Sequence, residues 1–153
     1  MKKALFFKNA QLLAEKLDIV PLMYGSLGLE YLTGEMLNVD DIDILIPKMF
    51  LTERWDEFKG TLLDDGYILT DEREHTFQKD DVSYSYASIE ELETFADIKV
   101  SNLIKQNVCG VEFMTLTIKQ YLKVYTTSLK DGYRINIRQK KDQDKIILIS
   151  KYL

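Results

Sequence analysis

The order of elements between residues 19 and 47 constrains the fold more than any other feature of the chain. Ile19 to Tyr24 is a short apolar run that carries Pro21 near its start and stops at Gly25. It reads as a buried strand, since proline is tolerated in a sheet only near such a beginning. Gly25-Ser26-Leu27-Gly28 opens a short helix through Leu32, and Thr33 to Asp40, with Gly34 and Asn38, is a loop. Asp41-Ile42-Asp43-Ile44-Leu45-Ile46 alternates and then turns fully apolar, and Pro47 closes it. This is a second strand with its two aspartates on one face, because side chains alternate with period two. Strand, helix and strand in so short a span require a sheet with helices packed on it.

The remaining pattern agrees. Ala4 to Leu17 carries a helical stripe of Leu5, Phe6, Leu12, Leu13, Ala14 and Leu17. Thr52 to about Asp64 predicts a helix with Trp55, Phe58, Leu62 and Leu63 inward, leaving at Gly66. Tyr67 to Thr70, His75 to Lys79 and Val82 to Ala87 read as short strands, the last two joined by an Asp80-Asp81 turn. Ser88-Ile89-Glu90-Glu91 has the form of a capping box and predicts a helix from there to about Phe95. Ile98 to Ile104 reads as extended, and Val108 to Leu116 as a turn and strand around Gly110. Thr117-Ile118-Lys119-Gln120 is a second capping box, opening a helix to about Leu129; Asp131-Gly132 is a turn, and Lys141 to Leu153 a last helix. The expectation is one mixed α/β domain over residues 1–153, with a core over about 18–116 and a helical part over about 117–153.

Composition excludes several classes. Apolar residues at 46% and charged residues at 29% are the balance of a globular chain, not a disordered one. The net charge is −5 and basic residues concentrate only between Arg134 and Lys145, which argues against duplex nucleic acid as a partner. With Cys109 the single cysteine and His75 the single histidine, an intrachain disulfide and a Cys/His zinc site are both excluded. Cys109 reads as a partly buried small hydrophobe and His75 as structural. Lys8, Asn9 and Gln11 interrupt the N-terminal apolar run before signal length, and no run reaches a membrane span. The default reading is a cytoplasmic protein.

The chemistry concentrates between Tyr24 and Ile46. A strand running into Gly25-Ser26 at a helix start presents backbone N–H groups and a hydroxyl where the helix dipole favours anions. Glycine lets a phosphate approach the backbone without meeting a Cβ. Asp41 and Asp43 project to one side, about 7 Å apart at Cα by strand geometry. Carboxylates so placed can share one or two Mg²⁺ ions, which prefer oxygen ligands. Asp40 faces the other way and carries no assignment. Taken singly, Gly-Ser also suits a plain helix cap, and Asp-Ile-Asp an exposed strand face.

Together these residues resemble the signature of the nucleotidyltransferase superfamily, the group related to DNA polymerase β. Gly25 and Ser26 match its phosphate-binding pair, and Asp41 and Asp43 its paired metal ligands. Arg134 with Lys141-Asp142 and the apolar helix that follows resembles the tail of small bacterial antibiotic-modifying members. The resemblance implies a mixed β-sheet flanked by helices, with C-terminal helices packed on it. It also implies Mg²⁺-dependent transfer of a nucleoside monophosphate from a nucleoside triphosphate to an acceptor. Arg134 and Lys141 would then join Gly25 and Ser26 around the nucleotide. A third carboxylate, as metal ligand or base, is expected on a later strand. Val82 to Ala87 holds no acid, which leaves Asp81, sharing the parity of Ser83 and Ser85, or Glu112.

Alternatives stay open on the sequence. Lys140, Lys141 and Lys145 either face a triphosphate or form a solvated helix face. Tyr67, Phe77, Tyr84 and Tyr86 are either a stacking wall for a base or core residues. Absence of a third acid would point to a degenerate relative, binding a nucleotide or a protein as, for example, one half of a toxin–antitoxin or regulatory pair. The small-molecule or macromolecular acceptor, the donor base and the oligomeric state are not specified.

Overall fold

Helix α1 (Lys2–Leu17) forms because Phe6, Ala10, Leu13 and Leu17 recur at three- and four-residue spacing, and all four are buried. The computed structural model describes residues 2–130 and 139–153. Seven strands follow: β1 (Leu22–Met23), β2 (Ile42–Ile46), β3 (Ile68–Asp71), β4 (Thr76–Lys79), β5 (Val82–Ser88), β6 (Ile104–Val108) and β7 (Val111–Thr115). They form one mixed sheet in the order β3-β4-β5-β2-β1-β7-β6. β2 runs parallel to β5, β1 parallel to β7, and β1 antiparallel to β2. The helices are α2 (Gly25–Thr33), α3 (Trp55–Asp64), α4 (Glu91–Ala96), α5 (Ile118–Lys130) and α6 (Gln139–Ser150). This is the mixed α/β sheet flanked by helices that the strand and helix order predicts.

Period two divides the sheet into faces. Met23, Ile42, Ile44, Ile46, Phe77, Tyr84, Tyr86 and Phe113 point to one core, closed by α1 and α3 through residues such as Phe6, Leu13, Phe58 and Leu62. Within that core Asn9 donates to the hydroxyls of Tyr67 (2.9 Å) and Tyr86 (2.7 Å). Leu22, Leu45 and Ala87 point the other way, into a second cluster built with α4, α5 and α6 through Leu92, Tyr121, Val124 and Ile149. Asp43 lies two residues before Leu45, so it belongs to this second face.

Several expectations are corrected. Ser88 does not cap a helix: it is the last residue of β5, paired with Ile46, and α4 starts only at Glu91 without a side-chain cap. Sheet pairing extended by one residue and burial of Ser88 outweigh a local cap. The segment expected to be extended over 98–104 contains a single 3₁₀ turn, Val100–Asn102, and β6 begins where that segment was to end. β6 and β7 form a hairpin closed by Cys109 and Gly110, both at positive φ, which leaves the Cys109 thiol exposed rather than partly buried. Leu63, expected inward on α3, is 44% exposed. The second capping box does form: Gln120 N–H donates to the Thr117 hydroxyl (3.0 Å) and Thr117 N–H to the Gln120 side chain (2.8 Å). The Asp131-Gly132 turn lies outside the described residues. No helix among the described residues is long and apolar enough to cross a membrane.

Candidate functional site

β1 delivers the chain into α2 through a corner at Gly25. Tyr24 N–H donates to the Asp43 carbonyl (3.0 Å), extending the β1–β2 pairing past Met23 and bringing Gly25 beside Asp43. Gly25 then turns at φ +61°, the left-handed region that glycine enters at little cost. A Cβ at this position would lie 2.6 Å from Asp43 Oδ2, so only glycine lets the carboxylate rest against the first turn of α2. Tyr24, at the N-cap, does not cap the helix with its side chain. The first N–H groups of a helix have no partner within it, so the backbone at Gly25, Ser26 and Leu27 is placed to receive an anion. Ser26 is half-buried in this turn.

Asp41 is exposed just before β2, and Asp43 is half-buried within it. The structure therefore brings Gly25, Ser26, Asp41 and Asp43 to one corner of the sheet. The register then shows what stands next to Asp43: Ser85 is directly opposite on β5, and Thr76 is opposite Ser85 on β4. The hydroxyls of Ser85 and Thr76 are 3.0 Å apart. Ser83, paired with Gln78, lies on the same face one step outward. The row beside the aspartates thus carries neutral hydroxyl and amide groups.

Neither candidate for a third acid joins this row. Asp81 is exposed in the β4–β5 turn, where it and Asp80 both take positive φ. It precedes Ser85 by four residues, roughly 13 Å of strand at about 3.3 Å per residue. Glu112 is exposed near the start of β7, whose Met114 pairs with Leu22, so it faces the opposite end of β1 from Gly25. There it borders a shallow depression of about 240 Å³ with Gln11, Asp18 and Cys109. Among the described residues, no three His, Cys, Asp or Glu side chains gather at one point as metal ligands.

The other candidates are dispersed. Arg134 lies outside the described residues. Lys141 is exposed near the start of α6, while its neighbour Asp142 is buried and accepts a 2.6 Å hydrogen bond from Ser128. Lys145 lies over the Tyr125 ring, 5.1 Å from its centroid. Tyr67, Phe77, Tyr84 and Tyr86 are buried on the face opposite Asp43 and are core residues, not a base-stacking wall. His75 packs against Trp55, with ring centroids 4.9 Å apart.

One residue of the corner carried no sequence signal. Tyr121 of α5 is buried, and its hydroxyl donates to the Gly25 carbonyl (3.0 Å). Burial, then Tyr125, Tyr24 and the Asp43 carboxylate, push this hydroxyl well above its ordinary 10.0, so it stays protonated and able to donate. Gly28 makes room for it, because a Cβ there would collide with the Tyr121 hydroxyl.

No protein-family model matches the chain. It is 42% identical over 148 residues to the uncharacterized protein YnaI of Bacillus subtilis (strain 168), covering 97% of this chain and 95% of that protein. An antigenic nucleotidyltransferase-like protein from Paracoccidioides brasiliensis superposes with a TM-score of 0.66 at 15% identity, over 98% of this chain and 75% of its own. ANT(2")-Ia, solved in complex with adenylyl-2"-tobramycin, superposes with a TM-score of 0.64 at 11% identity, over 99% and 90% respectively. These likenesses and the corner at Gly25 and Asp43 lead to one conclusion: the chain belongs to the family of Bacillus subtilis YnaI and has the nucleotidyltransferase fold.

Proposed function

We propose that the corner binds a Mg²⁺–nucleoside triphosphate and that the chain transfers the nucleoside monophosphate to an acceptor. The observation that carries this reading is the Asp43 carboxylate resting against Gly25 at the start of α2, which sets an anion cradle beside a metal-ligating acid. The donor set fits a hard divalent cation, since Asp43 on β2 and Asp41 just before it offer carboxylate oxygens two residues apart. When bound, Mg²⁺ supplies neutralising charge for the triphosphate and for the departing pyrophosphate. Backbone N–H groups at Gly25 and Ser26, with the Ser26 hydroxyl, hold phosphate oxygens and orient the α-phosphorus. The acceptor approaches over β5 and β4, where Ser83, Ser85, Thr76 and Gln78 can position it by neutral hydrogen bonds. ANT(2")-Ia, bound to an adenylylated aminoglycoside, is a precedent for such a product on this fold.

Ser85 opposite Asp43 favours a second reading. A serine there has no basicity with which to accept the acceptor's proton, so the site would hold a nucleotide without turning it over. Isothermal titration of ATP, GTP, CTP and UTP, with and without Mg²⁺, tests what both readings share. Metal-dependent binding of at least one triphosphate, abolished in Asp41→Asn/Asp43→Asn, is expected. A folded wild type that binds none of the four sinks both readings.

A further inference from the structure

We infer that Tyr121 is a positioning residue for the phosphate corner: its hydroxyl holds the Gly25 carbonyl and thereby aims the Ser26 N–H at the bound phosphate. The inference rests on the nucleotide-binding reading above and deepens it. In a trans peptide the C=O of one residue and the N–H of the next point in opposite directions across one rigid plane. The Gly25 carbonyl and the Ser26 N–H belong to the same plane. Anchoring the oxygen to Tyr121 at 3.0 Å therefore sets the direction of the N–H, away from Tyr121 and out of the start of α2.

This corner gains a second anchor from Tyr121. Gly25 has no side chain to restrict it and sits at φ +61°, and Tyr24 supplies no side-chain cap. Glycine's allowed backbone space is wide, and the Tyr121 hydroxyl adds to the α2 hydrogen-bond ladder in fixing the Gly25–Ser26 plane at the frayed first turn. Tyr121 is itself well held. Its ring is fully buried and stacks between Tyr24 (6.4 Å, 20°) and Tyr125 (5.9 Å, 15°). Gly28, one turn along α2, leaves the space that the hydroxyl occupies. A Cβ at Gly28 would meet both that hydroxyl and the Met23 carbonyl, so its room serves both, while Gly25 presents the carbonyl that the hydroxyl holds. The anchor comes from α5, 96 residues away, so it ties the C-terminal helices to the phosphate corner.

Tyr121→Phe keeps the ring and removes only the hydroxyl. Two probes report on the corner: Mg²⁺–ATP, and inorganic tripolyphosphate with Mg²⁺, which carries no base. Loss of one aligned hydrogen bond should weaken both by the same factor, about five- to tenfold, while thermal stability changes little. In ligand-free protein the backbone amide resonances of Gly25 and Ser26 should move, a signature that a merely packing role for the ring would leave in place. Unchanged affinities for both probes, or unmoved Gly25 and Ser26 amides, would overturn the inference. Should the wild type bind neither probe, the nucleotide reading fails, and the amide resonances still decide whether Tyr121 fixes this peptide plane.

Discussion

Replacing Gly25 by alanine adds two separate costs, and a second glycine tells them apart. The first is conformational: Gly25 sits at φ +61°, where an L-residue loses roughly 1–2 kcal/mol. In a chain of this size that lowers Tm by roughly 2–8 °C, at about 2–4 °C per kcal/mol. The second is steric. The new methyl would lie 2.6 Å from Asp43 Oδ2, so the carboxylate must withdraw to the 3.4 Å of ordinary contact, a move of about 0.8 Å. Metal and phosphate sites tolerate only about 0.5 Å of such error, and a displacement near 1 Å costs on the order of a hundredfold. Gly34 supplies the control. It ends α2 at φ +74° with nothing within 4 Å of a Cβ, so alanine there carries the backbone cost alone. We expect Gly25→Ala and Gly34→Ala to lose similar thermal stability, and only Gly25→Ala to lose Mg²⁺–ATP affinity, by about ten- to a hundredfold. Scanning calorimetry and isothermal titration on both variants read the two costs. Wild-type affinity in a folded Gly25→Ala would refute the reasoning that the missing methyl places Asp43.

Two further outcomes follow from the geometry. Ser85→Asp installs a third carboxylate opposite Asp43; without metal the like charges should lower Tm, and Mg²⁺ should restore it, with pyrophosphate release rising above wild type. A variant whose Tm ignores Mg²⁺ and which releases no pyrophosphate would show that this position is not adjacent to the metal and phosphates. The second outcome concerns alkali: burial is the leading cause that raises the hydroxyls of Tyr67, Tyr84, Tyr86 and Tyr121 above their ordinary 10.0. Because the folded values exceed the unfolded one, the stability they contribute is complete below pH 10.0 and is lost as pH rises beyond it. The tyrosinate absorbance of these four should therefore appear together with loss of the helical circular dichroism signal; ionisation of these tyrosines near pH 10.0 in a still folded chain would contradict it.

What was legible in the sequence was what local rules control. Gly25-Ser26 after a strand and Asp41-Ile42-Asp43 on the next share an end of the sheet because β1 and β2 are antiparallel neighbours, and the loop between them is short. Alternation in Asp41 to Ile46 assigned Asp43 its face, and Thr117 with Gln120 announced a real helix start. Long-range register was not legible. Only the parallel pairing of β2 with β5 shows that Ser85, rather than Asp81, stands beside Asp43. Ser88 misled for the same reason, since pairing with Ile46 drew it into β5. The four aromatics of Tyr67 to Tyr86 needed knowledge of which face α1 and α3 would cover. Tyr121 had no local pattern, because a hydroxyl reaching a carbonyl 96 residues away leaves no spacing to read.

The two-residue strand β1 has a consequence for the order of folding. It lies between β2 and β7, and its partner on β7, Met114, is 92 residues beyond Leu22. β3, β4 and β5 join through short turns, and such local contacts form early, whereas closing a long loop carries an entropy that its contacts recover only late. During synthesis the aspartates of β2 emerge well before β7 and α5 exist to enclose β1. β1 can pair locally with β2, but its β7 side and the Tyr121 bond to Gly25 close only once β7 and α5 exist, so the corner is completed late. A ligand that requires that corner selects finished chains over nascent ones.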